Sequence, residues 1–141
     1  MKGDEIMNKK VKFVLVTVSV ALVFAALIGL WIGTRNVNIM KDVDINEIEK
    51  IEIYQNNKAS ILSEENDVKE FVKLFESMEL DKTFSNSKEG YAFSIDVYYK
   101  NGKESKIIVR SSEIIIDCKF YKCDKSYCDD VRKIYEAHIE Q

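Results

Sequence analysis

The sequence predicts an α+β protein in which an N-terminal transmembrane helix precedes an antiparallel sheet with two helices packed on one face. Three observations lead to this prediction. An uncharged run of 20 residues, FVLVTVSVALVFAALIGLWI, lies near the N-terminus. Beyond it, several short segments alternate apolar and polar residues as half-buried strands do, and two longer segments repeat apolar residues at helical spacing. The predicted order of elements after the anchor is ββα-βββα.

The uncharged run from Phe13 to Ile32 has the length of a membrane-spanning helix. At about 1.5 Å per residue, such a helix covers about 30 Å, the thickness of the hydrocarbon core of a bilayer. Trp31 lies near its end, where an indole ring suits the headgroup layer. The competing interpretation is a cleaved signal peptide, whose apolar region usually spans only about 7–15 residues. We therefore predict an uncleaved signal anchor over residues 13–33.

Basic residues are concentrated before this anchor. Four lysines precede it, whereas only Arg35 and Lys41 stand in the first stretch after it. Because basic flanks remain in the cytoplasm, residues 1–12 are predicted to form a cytoplasmic leader and the C-terminal part to lie outside. Met7 is an alternative start that would keep the leader basic. The predicted location is the cytoplasmic membrane, crossed once, with the N-terminus inside.

The part of the chain beyond the anchor is acidic. Residues 34–46 show no regular period and are predicted to be a juxtamembrane linker, and residues 47–141 are predicted to form an extracytoplasmic α+β domain. Four of the 21 basic residues but only two of the 24 acidic ones precede the anchor, so the remainder carries a formal charge of −5. With no basic stripe, no nucleic-acid partner is expected. The sequence contains neither a glycine-rich phosphate loop nor metal-ligand spacing, so no cofactor and no metal are predicted.

The domain begins with a predicted β-hairpin and a helix. Strands over 48–54 and 58–62 are joined at Asn56-Asn57, because asparagine tolerates the positive φ of a tight turn. Ser63 is the expected cap of the helix that follows. Apolar residues recur on one face of this helix, at Val68, Phe71, Val72, Phe75 and Met78.

A three-stranded meander follows a polar loop over residues 81–90, within which a short strand is expected around Thr83-Phe84. Strict alternation predicts a strand over 91–99. Asn101-Gly102 is the strongest hairpin signal in the chain, and it leads to a strand over 104–110. Ser111-Ser112 is a second predicted turn, before a third strand over 113–118.

The last predicted element is a helix that follows residues 119–123. Asp124 or Ser126 is the expected cap. His138, the single histidine of the sequence, is interpreted as a packed helix-end residue, because no partner for a general base is visible. The predicted buried face of this helix comprises Tyr127, Val131, Ile134, Tyr135 and His138.

Three cysteines, Cys118, Cys123 and Cys128, lie in the C-terminal quarter. They are candidates for one disulfide, which is permitted outside the cytosol, and the pairing stays open. If Asp124 caps the last helix, Cys123 and Cys128 occupy the positions that meet in a hydrophobic staple; a Cys118–Cys128 pair is the alternative. The same cluster carries the enzymatic alternative, a thiol-dependent or hydrolytic enzyme. That alternative would need an activating base, whereas the acidic neighbours of Cys128 raise the pKa of a thiol.

Two tyrosines are the candidate partner contacts. Tyr54 and Tyr98 share the outward parity of their strands with polar residues, and exposed tyrosines favour contacts with other proteins. Together with the hairpin tip Asn101-Gly102 they define the predicted contact surface. The structural alternative is cross-strand pairing on a solvated face.

From Lys50 onward the chain resembles a broad group of uncharacterised small envelope proteins of low-GC Gram-positive bacteria, both signal-anchored and lipoprotein. The resemblance lies in the segments KIEIYQNNKASILSEENDVKEFVKLFESM and FSIDVYYKNGKESKIIV and in a tyrosine-rich final helix. It implies a hairpin, a helix, an antiparallel meander and a last helix, and it brings no catalytic residues. The chain differs from the lipoprotein members because no cysteine stands just after its apolar run, where the lipid would be attached.

The first functional hypothesis is therefore a non-enzymatic binding or protein-interaction module at the cell envelope. The alternatives are the thiol-dependent or hydrolytic enzyme and an accessory or immunity-type subunit that acts through its membrane helix.

Overall fold

The computed structural model describes residues 14–28, 37–84, 88 and 90–139. The chain divides into two compact units, Met1–Arg35 and Asn36–Gln141. The predictions for the leader and for both ends of the anchor lie outside the described residues.

The first unit contains one helix, α1, over residues 14–28 of its described part. Its large apolar side chains are exposed within the unit, from Val14 to Ile28. The hydroxyl of Ser19 donates a hydrogen bond to the carbonyl of Leu15 at 2.8 Å, so the helix itself satisfies this polar group. Among the described residues, no helix combines the length and the apolar character needed to cross a membrane.

The second unit is built on a seven-stranded antiparallel sheet with the strand order β2-β1-β4-β5-β6-β7-β3. A 3-10 turn, Ile45–Glu47, leads into the first strand. The helices are α2, Glu65–Glu76, and α3, Cys128–Ala137. The strands are β1 Ile48–Gln55, β2 Lys58–Leu62, β3 Leu80–Thr83, β4 Phe93–Tyr99, β5 Glu104–Val109, β6 Glu113–Ile116 and β7 Lys119–Cys123. The predicted α+β class and the antiparallel sheet are confirmed.

The sheet has two more strands than the ββα-βββα order predicted. Residues 119–123, predicted to lead into the last helix, form β7, which pairs with β6 on one side and β3 on the other. The expected short strand near Thr83-Phe84 lies earlier, at Leu80–Thr83. The strand predicted over 113–118 ends at Ile116, because Asp117 and Cys118 form the turn into β7.

Residues with positive φ form the tight turns between neighbouring strands. Asn56 and Asn57 have φ of 49° and 64°, and Gly102 has a φ of 79°, as the turn signals predicted. The β6–β7 turn uses Asp117 and Cys118, with φ of 46° and 66°. Aspartate tolerates this conformation but cysteine rarely adopts it, so Asp117-Cys118 is a weaker turn signal than Asn-Asn or Asn-Gly, and the turn was missed.

One apolar core lies between the sheet and the two helices of the second unit. The five residues of the face predicted for α2 are all buried, and so are four of the five predicted for α3, with His138 half-buried. The rings of Phe71 and Phe75 on α2 are 4.5 Å apart. The ring of Tyr135 on α3 is 5.8 Å from that of Phe93 on β4, which places α3 against the core side of the sheet.

The caps of both helices differ from the prediction. Glu64, not Ser63, is the residue before α2, and it makes no side-chain capping bond. The residue before α3 is Tyr127, so Asp124 does not cap this helix; its carboxylate instead accepts a hydrogen bond from the Tyr127 hydroxyl at 2.6 Å. Ser126 accepts a long bond, 3.4 Å, from the amide of Cys128. Acidic residues in the first turn of each helix still stabilise it, because their negative charge lies at the positive end of the helix dipole.

Segments from both ends of the unit cover the outer edges of the sheet. The amide of Val37 donates to the carbonyl of Leu80 at 2.8 Å along β3, and Met40 is buried in the core. Residues 37–46, predicted to be part of a linker, thus contribute to the packed unit. At the opposite edge, Ile139 forms an isolated antiparallel bridge with Ser60 of β2.

Candidate interaction surface

The sheet face that points away from α2 and α3 carries polar and aromatic side chains. Alternate residues of β1 and β4 are buried, and those between them face outward, as the period of the sequence predicted. Residues directly opposite each other in antiparallel strands share a face, which extends this surface into β5. It is named the open face and consists of Lys50, Glu52, Tyr54, Ser94, Asp96, Tyr98, Glu104, Lys106 and Ile108.

The carboxylate of Glu52 accepts hydrogen bonds from three side chains of the open face. Its Oε1 accepts a hydrogen bond from the Lys50 ammonium at 2.7 Å. Its Oε2 accepts from the hydroxyl of Tyr54 and, at 3.3 Å, from the hydroxyl of Tyr98. The Lys50 ammonium also lies 4.6 Å from the centre of the Tyr98 ring, within the range of a cation–π contact. One carboxylate therefore fixes both predicted contact tyrosines.

The charge of Glu52 and the protonation of its partners support each other. The hydrogen bond from Lys50, followed by that from Tyr54, lowers the pKa of Glu52. The same bond to Glu52 raises the pKa of Tyr54 to about 12, so the phenol stays neutral and remains a donor at physiological pH. This cluster therefore presents fixed aromatic rings rather than an activated phenolate.

The predicted hairpin tip lies beyond the end of this face. The amide of Gly102 donates to the carbonyl of Tyr99 at 2.9 Å, and the amide of Lys103 donates to the Asn101 side chain at 3.0 Å. The side chain of Asn101 is thus used to close the turn. Both tip residues are exposed and lie in the loop between Tyr98 and Glu104, the last pair of the β4–β5 ladder.

A cavity of about 510 Å³ lies at this end of the sheet, beside the hairpin. Five carboxylates line it, but two have local structural partners. Asp44 accepts from the amide of Asn46 at 2.9 Å, and Asp117 accepts from the hydroxyl of Ser105 at 2.7 Å. In the part of the chain that the structure describes, no group of three or more potential ligands is arranged to hold a metal ion.

The predicted disulfide is absent, and all three cysteines are free. Cys118 lies in the turn before β7, and Cys123 is the last residue of this strand. At about 3.3 Å per residue, the length of the strand keeps their Cα atoms farther apart than the roughly 7 Å that a disulfide can span. The staple predicted for Cys123 and Cys128 required Asp124 to cap the helix. Because Cys128 instead opens α3, the two residues do not occupy staple positions.

The buried cysteine is not activated as a nucleophile. Burial, and secondly the carboxylate of Asp124, raise the pKa of the Cys123 thiol to about 12. At neutral pH the reactive thiolate is therefore a very small fraction. Cys118 is exposed on the β6–β7 turn.

Lys50 and Glu52 were missing from the predicted contact set, although they share the parity of Tyr54 on the same strand. Asp96 and Lys106 add a further pair, 3.4 Å apart, across β4 and β5. The alternation of these four residues with buried ones in the sequence was the signal that could have placed them on the open face. The convergence of three side chains on one carboxylate depends on the register of β1 against β4, which pairs Lys50 with Tyr98.

Comparison of this chain with protein-family models, with curated proteins and with solved structures finds no match.

Proposed function

We propose that the chain is a single-pass membrane protein whose extracytoplasmic α+β domain binds an envelope protein through the open face, without catalysing a reaction. The observation that carries the proposal is the pair of tyrosine rings fixed by Glu52 on a sheet face that the helices leave uncovered. Rigid aromatic rings add contact area at low cost in conformational entropy, because little side-chain freedom remains to be lost on binding.

The membrane anchor rests on the sequence. Helix α1, over residues 14–28, lies within the uncharged run of 20 residues, which has the length of a bilayer span. The lysines before the run favour a cytoplasmic N-terminus. On this arrangement the second unit is outside the cytoplasm and available to other envelope proteins.

The high pKa of Cys123 weighs against the thiol-dependent enzyme. A nucleophilic cysteine needs a lowered pKa or an adjacent base. The nearby carboxylate of Asp124 carries a negative charge and therefore disfavours the Cys123 thiolate instead of stabilising it.

Sidedness can be tested with the exposed thiol of Cys118 as a natural reporter. A membrane-impermeant maleimide is expected to label the full chain in intact spheroplasts as strongly as after permeabilisation. Cys118→Ser is the matched control: it retains the buried Cys123 and the half-buried Cys128, so its residual labelling is subtracted from that of the parent chain. If the parent chain is labelled only after permeabilisation, the proposed orientation is wrong. Recovery of the chain from the medium, shortened near Thr34, would contradict the anchor.

The contact surface can be tested by photocrosslinking in cells. A photoreactive phenylalanine analogue at Lys106, on the open face, is expected to give one discrete adduct, whereas the same analogue at Lys133, on α3, should give none. Tyr54→Ala with Tyr98→Ala should abolish the adduct, and Tyr91→Ala, an exposed tyrosine outside the open face, should not. The crosslinked protein is then identified by mass spectrometry and purified. It should bind the full chain and the Tyr91→Ala variant, but not the variant that lacks both Tyr54 and Tyr98. Equal adducts at both positions, or an adduct indifferent to the double substitution, would reject the surface.

A further inference from the structure

The outer edge of β2 is covered by the C-terminal end of the described chain. Ser60, in the middle of β2, pairs with Ile139 in an isolated antiparallel bridge. An unpaired edge strand is a template for pairing with other strands, and proteins commonly cover such edges. Within the described part of the chain the covering segment is a single residue that directly follows His138, so its position depends on how His138 is held.

The covered edge includes a buried hydroxyl on the core face of the sheet, opposite Ile53. Ser60 is 1% exposed, and its Oγ has no hydrogen-bond partner among the described residues. A buried hydroxyl without a partner loses its bonds to water and gains none in return. The Ser60 side chain therefore does not hold the edge closed, and a bridge through one residue needs other contacts of the C-terminal segment.

His138 supplies those contacts through both ring nitrogens. Its Nε2 lies 3.1 Å from Oδ2 of Asp67 on α2, and its Nδ1 lies 2.9 Å from the carbonyl of Ile134 on α3. Both neighbours are acceptors, so both nitrogens must carry a proton to satisfy them. Only the imidazolium does this, because a neutral ring has one N–H.

We propose that His138 and Ile139 form a proton-dependent strap, which closes the outer edge of β2 while the imidazolium joins α2 to α3 and opens that edge when the proton is lost. The strap is defined by these two residues. Its action is independent of the partner proposed for the open face.

The charges around His138 give the direction of the switch. The Ile134 carbonyl raises the pKa of His138 most, the Asp67 carboxylate adds to the increase, and partial burial opposes it. Glu70, also on α2, acts in the same direction as Asp67. The pKa in the folded chain therefore lies above the ordinary value of 6.5, and the strap closes below that pKa and loosens as pH rises through it.

Hydrogen exchange of the β2 amides tests the strap in the full chain, reconstituted in lipid nanodiscs. Protection factors of residues 58–62, corrected for the intrinsic pH dependence of exchange, are compared at pH 5.5 and pH 8.5. The parent chain is expected to lose about two- to fivefold protection at the higher pH, the range for a partly accessible ion pair. The interior strand β4 serves as the internal reference and should not change.

Two variants separate the strap from a general loss of stability. Asp67→Asn and His138→Gln should each show the low protection of β2 at both pH values, with β4 still protected. Asp130→Asn, which removes another helical carboxylate paired with Lys133 at 3.5 Å, should behave as the parent chain does. The proposal is overturned if the parent chain protects β2 equally at both pH values, or if Asp67→Asn retains the parent's pH dependence.

Discussion

Glu52 illustrates how one residue can organise a surface. Its two oxygens receive an ammonium and two phenols from β1 and β4, and its side chain is only 12% exposed. A half-buried carboxylate with several donors is held in its charged form, since each hydrogen bond favours the anion. The contact tyrosines are therefore positioned by a residue that need not touch a partner.

The parity of Tyr54 and Tyr98 could be predicted from the sequence, because alternation at a period of two fixes which side of a strand each residue faces. The role of Glu52 could not. It depends on the register between β1 and β4, which includes an irregularity between Ile48 and Lys50. No local signal in the sequence encodes this displacement.

The first prediction concerns the pKa of Tyr54. Glu52→Gln removes the negative charge that disfavours the phenolate, so the pKa should fall from about 12 toward the ordinary value of 10. Titration of the full chain with carbon-13 tyrosine, followed by NMR, reports each phenol. Glu76→Gln, on the exposed side of α2, is the control and should leave Tyr54 unchanged. A Tyr54 pKa that stays near 12 in Glu52→Gln would show that Glu52 is not the cause of the raised pKa.

At the scale of elements, the strands could be predicted where alternation is long and the turns where the residue types are selective. Asn56-Asn57 and Gly102 meet both conditions. The turn at Asp117 and Cys118 does not, because it depends on bonds from a distant strand: the Asp117 carboxylate accepts from the amide of Lys106 at 2.8 Å. The missed turn concealed β7, and with it the partner of β3.

The second prediction compares residues at these two hairpins. Gly102 has a φ of 79° and nothing within 4 Å of an added Cβ, so Gly102→Ala should be destabilising through backbone strain alone, by about 1–2 kcal/mol. Cys118 already occupies the left-handed region, at a φ of 66°, so Cys118→Gly should be stabilising, by up to about 1 kcal/mol. Urea unfolding of the full chain in detergent, followed by circular dichroism, gives both values. Equal effects in the same direction would contradict the backbone argument.

At the scale of the whole molecule, the class of the second unit could be predicted but the order of its strands could not. Strands β3 and β4 are consecutive in the chain, yet three other strands separate them in the sheet. Hairpin signals specify neighbours such as β4 and β5, whereas the place of β3 beside β7 follows from pairs such as Leu80 with Cys123. Such pairing between distant segments is decided by packing of the complete core, and no periodic pattern in the sequence indicates it.

Two ion pairs at different places in the second unit give its stability opposite responses to pH. The pKa of Glu52 is lowered from 4.5, so its contribution is present above pH 4.5 and is lost as pH falls through the folded pKa. The pKa of His138 is raised from 6.5, so its contribution is complete below pH 6.5 and is lost as pH rises through the folded pKa. Both contributions are therefore present together between pH 4.5 and 6.5.

The third prediction is that each limb of the stability profile can be changed separately. The free energy of unfolding of the full chain, measured in urea from pH 3.5 to 8.5, should decline toward both ends. Glu52→Gln should flatten the acid limb and leave the alkaline limb unchanged, and Asp67→Asn should do the reverse. The two sites lie on opposite sides of the sheet, so the double variant should show the sum of both effects. An alkaline limb that survives His138→Gln would mean that a group other than His138 controls stability above pH 6.5.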